Sequence, residues 1–173
     1  MVSRQVGSLR EIDKAARGVG GGGKFVQSVI TTLTTASSNT TALPFDTTIP
    51  QNTEGAEILT RAITPTSATN RLLIECVLIH AGGTDSTGQG MALFQDTTAN
   101  ALASAGGATS GGDATASSIL RYEMAAGTIS ETTFKIRVGT HNGAAFYVNR
   151  SVDVATLHGG KVMSSLRVTE IVG

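Results

Sequence analysis

Arg71-Leu72-Leu73-Ile74-Glu75-Cys76-Val77-Leu78-Ile79-His80 is the strongest apolar run in the chain, and the fold turns on how it is read. A run of this kind is expected as a central strand, covered on both faces for much of its length. Thr64 to Asn70 before it is a turn, reached from a strand over Ala56 to Ile63 that Pro65 stops. Ala81 to Gln89 after it carries two adjacent glycines and Asp85, and reads as a loop into a short strand at Gly90 to Gln95. Asp96 to Asn100 turns the chain again.

The same alternation extends outward. Phe25-Val26-Gln27-Ser28-Val29-Ile30-Thr31-Thr32-Leu33 has period two and β-branched residues, and predicts the first strand. Asn39 to Gln51, with Pro44, Asp46 and Pro50, reads as an irregular connection. Further strands are expected at Ser117 to Ala125, Thr132 to Thr140, Ala144 to Arg150 and Lys161 to Val172. Asn142-Gly143 stands between two of them as the best hairpin signal in the sequence. Ala103 to Ala116 is nearly all Gly, Ala, Ser and Thr, too small to pack well, and predicts an exposed loop. Eight or so strands with no convincing helix between them imply antiparallel sheets. At 173 residues the favoured solution is an all-β, two-sheet jelly-roll sandwich over residues 24 to 173.

Residues 1 to 23 differ from the rest. Leu9, Ile12, Ala15 and Ala16 fall near helical spacing, and Gly18, Gly20, Gly21, Gly22 and Gly23 form a glycine linker. Counted to Lys24, the arm holds Arg4, Arg10, Lys14, Arg17 and Lys24 against Glu11 and Asp13, a charge of +3 that the remaining residues balance. It is expected to be a short docking arm, held in place by a larger assembly.

Composition excludes several functions. With 15% charged and 4% aromatic residues and zero net charge, no basic block interleaved with aromatics exists for nucleic acid. No apolar stretch approaches the ~20 residues of a membrane span and no apolar signal core opens the chain, so a soluble protein made in a cytoplasm is expected. The single Cys76 supports neither an intramolecular disulfide nor a cysteine metal cluster, and is expected as a small buried hydrophobe.

Candidate chemistry is sparse. Gly18-Val19-Gly20-Gly21-Gly22-Gly23-Lys24 spells a phosphate loop up to its lysine, but Phe25 stands where Ser or Thr must hold magnesium, and the expected order of elements is reversed. No G-x-S-x-G elbow is present. His80, His141 and His158 lack the close spacing of metal ligands and read as solvated or turn histidines. In a trimer, one histidine near the axis offers three imidazoles to a metal, the one route to a metal site that the sequence leaves. Glu54 and Glu57 flank Gly55 and mark a solvated strand entry rather than a glycosidase pair. The sequons Asn39-Thr40-Thr41 and Asn149-Arg150-Ser151 have little meaning in a protein made in a bacterium. No catalytic, cofactor-binding or metal residue is assigned, and no enzymatic activity or cofactor is expected.

Four stretches taken together carry a likeness. Leu43-Pro44-Phe45-Asp46-Thr47-Thr48-Ile49-Pro50-Gln51-Asn52-Thr53-Glu54-Gly55 and Ala62-Ile63-Thr64-Pro65-Thr66-Ser67-Ala68-Thr69-Asn70-Arg71-Leu72-Leu73-Ile74 are the first two. Ala92-Leu93-Phe94-Gln95-Asp96-Thr97-Thr98-Ala99-Asn100-Ala101-Leu102-Ala103 and Ser165-Leu166-Arg167-Val168-Thr169-Glu170-Ile171 follow. As a set they resemble a module of phage tail-fibre and related virion proteins, over roughly residues 25 to 173. The resemblance implies a non-catalytic trimeric β-sandwich similar in shape to tumour-necrosis-factor and C1q heads. It implies a homotrimer located in the virion, joined to capsid, connector or baseplate through its arm and contacting a host surface glycan or protein. A capsid head fibre or decoration protein without receptor binding is the alternative, because the short arm replaces a fibre shaft. A carbohydrate-active enzyme domain is the competing class, and it would need paired carboxylates in a groove.

Overall fold

The computed structural model describes residues 23–83, 87–109 and 112–173. The helical pattern of the arm, the glycines before Gly23 and the docking function assigned to residues 1 to 23 therefore lie outside the described residues.

Among the described residues ten strands build two antiparallel sheets. In chain order they are β1 (Phe25–Leu33), β2 (Ser37–Asn39), β3 (Ala56–Ile63), β4 (Arg71–Gly82), β5 (Gly88–Gln95), β6 (Ala103–Ala108), β7 (Ala116–Ala125), β8 (Thr132–Thr140), β9 (Phe146–Val148) and β10 (Ser164–Ile171). In the first sheet β10 lies between β1 and β4, and β4 pairs on its other side with β7. The second sheet runs β3-β8-β5-β6. If the eight longer strands are lettered A to H along the chain, the sheets are A-H-C-F and B-G-D-E. This is the expected jelly-roll sandwich.

The core fills the space between the sheets. Leu72, Ile74, Cys76 and Leu78 of β4 with Leu166 and Val168 of β10 meet Leu59 and Ile63 of β3, Met91 and Leu93 of β5, and Phe134, Ile136 and Val138 of β8. Each of these strands contributes alternate residues, as a half-buried strand must. Burial pushes the Cys76 thiol up to about 12, so the lone cysteine is the inert core residue expected of it.

Several expectations are corrected. In β4 the even-numbered residues are buried, whereas Leu73, Glu75, Val77 and Ile79 on the other face are half-buried or exposed. The strand covered on both faces is β5. Its Met91 and Leu93 point into the core, while Ala92 and Phe94 point outward and are sealed by Leu43. Leu43 belongs to the irregular segment after β2, which crosses the second sheet as a strap. The Leu43 N–H donates to the Thr140 carbonyl at 2.9 Å and the Gly55 N–H to the Ala42 carbonyl at 2.7 Å. Where the strap crosses β8 the sheet must be bare, because a Cβ on Gly139 would overlap the Thr41 carbonyl oxygen.

The Ala103 to Ala116 stretch is not a loop throughout. Ala103–Ala108 is an edge strand in register with β5, and Ala103 and Ala105 pack on the core. Asn142-Gly143 is a turn, with Gly143 at φ 76°, but not a hairpin turn. It carries the chain from β8 in one sheet to β9 in the other. The strand expected at Ala144 to Arg150 contracts to Phe146–Val148, and the one expected from Lys161 begins at Ser164. Before it, His158, Gly159 and Gly160 take left-handed backbone conformations.

β9 and β10 lie end to end along one edge of β4, and Asn149 closes the gap. Its side chain donates to the Leu33 carbonyl at 2.7 Å and accepts from Ser164 Oγ at 2.7 Å. Ser164 Oγ in turn accepts the Ile79 N–H at 3.0 Å. Asn149 sits at φ 55°, a left-handed position that asparagine tolerates better than most side chains.

Candidate functional site

Two exposed surfaces stand out, and beneath them the sandwich buries several polar groups. His80 was expected to be solvated and is instead buried inside the sandwich. The Gln89 amide nitrogen donates to Thr109 Oγ1 at 2.8 Å and to the Thr87 carbonyl, which turns Gln89 Oε1 towards His80 Nδ1 at 2.6 Å. Nδ1 therefore carries the proton, and Nε2 accepts from Ser118 Oγ at 2.8 Å. The ring stacks on Phe146 with centroids 5.4 Å apart. Burial lowers the imidazole pKa, and the Gln89 hydrogen bond opposes it without reversing it.

The imidazole is thus neutral in the fold, while an unfolded histidine gains a proton near 6.5. The stabilisation is complete above that value and is lost as pH falls below it towards the lowered native value. Urea unfolding between pH 7 and 5 is expected to show stability falling with acid, by at most about 1.4 kcal/mol per pH unit for this one proton. In His80→Gln this component is expected to vanish; an unchanged slope would assign it elsewhere.

The first candidate surface is the outer face of the first sheet. Across it, Ile30 faces Arg167, Arg167 faces Glu75 and Glu75 faces Arg121. In the next row Val77 lies between Ser165 and Ile119, and in another Leu73 lies between Thr169 and Glu123. Arg121 pairs with Glu75 at 2.7 Å and Arg71 with Glu123 at 2.5 Å. These are exposed pairs worth little in water. The apolar members are open: Val77 is 39% exposed, Ile30 42% and Ile119 63%. A sheet face mixing exposed Ile and Val with ordered ion pairs is suited to burial against another surface.

The second surface lies on the strap. Phe45 is 55% exposed, yet its ring occupies the space that side chains at Gly88, Gly90 and Gly106 would fill. Beside it a cavity of about 420 Å³ is lined by Pro44, Phe45, Asp46, Thr48, Gly90 and Ser104, among others. Thr48 donates both its N–H and its hydroxyl to Asp46 Oδ1, at 2.7 and 2.6 Å, and these bonds lower the Asp46 pKa. His141, an exposed histidine, lies next to Phe45 with centroids 6.4 Å apart.

The remaining residues singled out in the sequence are scattered. His158 is exposed in its left-handed turn. Glu57 is exposed and lies 3.9 Å from Arg137, whereas Glu54 accepts the Gln51 N–H at 2.8 Å and shapes the strap. Among the described residues no three His, Cys, Asp or Glu come together as metal ligands, and no helix is long and apolar enough to cross a membrane.

Sequence reasoning missed Glu170. This carboxylate is buried at the end of β10, and no cation among the described residues pairs with it. Oε1 accepts the Thr66 N–H, the Thr66 hydroxyl and Asn70 Nδ2, and Oε2 accepts Gln27 Nε2, at 2.6 to 2.9 Å. Burial alone would raise its pKa, but the bonds from Asn70, Gln27 and Thr66 outweigh burial and hold it at about 2. Its partners come from β1 and the β3–β4 turn, so the group locks three chain segments rather than performing chemistry.

No family model matches the chain, and no curated protein sequence matches it. Among solved structures it is similar to the C-terminal domain of EclA, a sugar-binding protein, with a TM-score of 0.38 and 14% identity over 84% of this chain and 96% of that one. It is similar to dimeric latent PorU from Porphyromonas gingivalis, with a TM-score of 0.42 and 9% identity over 88% of this chain and 14% of that one. It is also similar to VP2 in the subviral particle of infectious bursal disease virus, with a TM-score of 0.37 and 10% identity over 85% of this chain and 38% of that one.

Proposed function

We propose that the chain is a non-enzymatic structural protein of a bacteriophage virion, a homotrimer anchored by residues 1 to 23 and presenting its jelly-roll head to the host surface. The observation that carries this reading is the outer face of the first sheet, where Ile30, Val77 and Ile119 stand open around paired charges. A monomer in water gains nothing from such a face. Closed cyclic association buries it in every copy without leaving an open end. The four stretches that resemble phage fibre modules support three as the number of copies. Three heads acting together would let weak individual contacts with a host glycan or protein sum to firm attachment.

The arm, with its charge of +3 counted to Lys24, suits an acidic socket on a capsid, connector or baseplate protein. Purified particles are expected to contain the intact chain by immunoblot. Particles assembled with a chain lacking residues 1 to 23 are expected to lose it, although the truncated chain still forms trimers. Incorporation of the truncated chain would overturn the docking assignment. Decoration without receptor binding is separated by incubating the purified protein with host cells: retention on the cells supports attachment, and its absence supports decoration.

A further inference from the structure

We infer that the Phe45 cleft is a saccharide site, taking one hexopyranose ring of a surface glycan against the open side of the Phe45 ring. This rests on the reading above, in which the head faces the host.

The strap holds an exposed aromatic in a fixed place. Different atoms of the Phe45 ring lie where side chains at Gly88, Gly90 and Gly106 would project, at 2.8 to 2.9 Å from the Cβ positions. Two of these glycines are on β5 and the third, Gly106, is opposite Gly90 on β6. The sheet beneath is thus bare at three neighbouring positions, and the ring nests there rather than swinging in solvent. Phe45 as a whole residue remains 55% exposed. A phenyl ring immobilised in this way offers a platform at low entropic cost, and the C–H face of a pyranose is a matching apolar surface.

The polar groups around the ring complete the match. Asp46 uses Oδ1 for Thr48, which fixes its carboxylate and leaves Oδ2 able to accept from sugar hydroxyls. Thr48 and Ser104 line the same cavity, and His141 stands on the ring's flank. An apolar platform combined with a carboxylate and hydroxyls fits a neutral polyol with one apolar face better than an anion or an extended apolar chain. The volume of about 420 Å³ lies within the range of small-molecule sites. Nothing in the cleft is arranged to break a glycosidic bond, because Asp46 has no second carboxylate among its lining residues.

The test is a nuclear magnetic resonance titration of the full chain with the methyl glycosides of glucose, galactose, mannose and N-acetylglucosamine. At least one is expected to shift the Phe45 ring and the Asp46 and Thr48 amides saturably, with a dissociation constant on the order of 1 mM. Phe45→Ala is expected to abolish the shifts. Because loss of the ring uncovers three glycines, Asp46→Asn serves as the second variant: it is expected to keep the melting temperature and weaken binding at least fivefold. No saturable shift with any of the four sugars overturns the proposal. So does shielding of Phe45 by a second copy, detected as protection from a soluble paramagnetic agent that dilution removes. The outcome is independent of assembly: a trimer that ignores sugars refutes this inference alone, and a monomer that binds them refutes only the trimer.

Discussion

Glu170→Ala is expected to lower the unfolding free energy by about 4 kcal/mol, measured by urea denaturation at pH 7. The substitution removes the acceptor for four donors and leaves Asn70 Nδ2 and the Thr66 N–H facing a void at the end of β10. A buried donor left without a partner costs about 1 to 3 kcal/mol, and bonds to a charged group lie at the upper end of their range. A loss of this size is a large share of the 5–15 kcal/mol that typically holds a domain together.

Acid should act on the same group. An unfolded glutamate takes a proton near 4.5, whereas native Glu170 resists to about 2. The native state therefore binds fewer protons in that window, and the contribution is present above pH 4.5 and lost as pH falls towards 2. The wild-type chain is expected to lose stability across this window more steeply than Glu170→Gln, which has no carboxylate to protonate. Equal slopes would show that the network does not depend on charge.

The second large effect concerns assembly. Val77→Glu is expected to dissociate the proposed trimer while leaving the protomer folded. Val77 is on the outer face of β4, between Ser165 and Ile119, so its replacement touches no core residue. In an interface the new carboxylate would be stripped of water beside Glu75, with Arg121 already engaged at 2.7 Å. Burying an uncompensated charge costs several kcal/mol in each of three interfaces, enough to shift dissociation by orders of magnitude. Circular dichroism is expected to be unchanged. A variant that stays trimeric would remove this face from the interface.

Strand positions were the most legible part of the fold. Phe25–Leu33, Ala56–Ile63 and Thr132–Thr140 are marked by β-branched alternation, and Pro65 closes the second of them. β6 escaped because Ala103-Ser104-Ala105-Gly106-Gly107-Ala108 has almost no side-chain bulk to reveal a period. The same smallness is what its position requires, since the Phe45 ring lies over Gly106. Asn142-Gly143 misled for another reason. A turn dipeptide fixes local backbone direction but cannot tell whether the next strand stays in its sheet, and here the chain changes sheets.

The polar groups were harder to place, because their partners are distant in sequence. His80 meets Gln89 across 9 residues and Ser118 across 38, and Glu170 meets Asn70 across 100 and Gln27 across 143. Neither shows any pattern in its own neighbourhood that distinguishes a buried network from a solvated strand end. Phe45 was legible as part of a likeness but not as an exposed ring, because its seat is built from glycines 43 to 61 residues away. The open outer face of β4 was hidden by composition, since Leu73, Val77 and Ile79 read as core when the partner sheet is unknown.

The jelly-roll heads are proposed to associate in threes through the outer face of the first sheet. Multi-angle light scattering of the full chain across a hundredfold range of concentration tests it most directly. A concentration-independent mass of three chains is expected for the wild type and of one chain for Val77→Glu; a wild type that runs as a single chain of 17.7 kDa throughout would rule the trimer out.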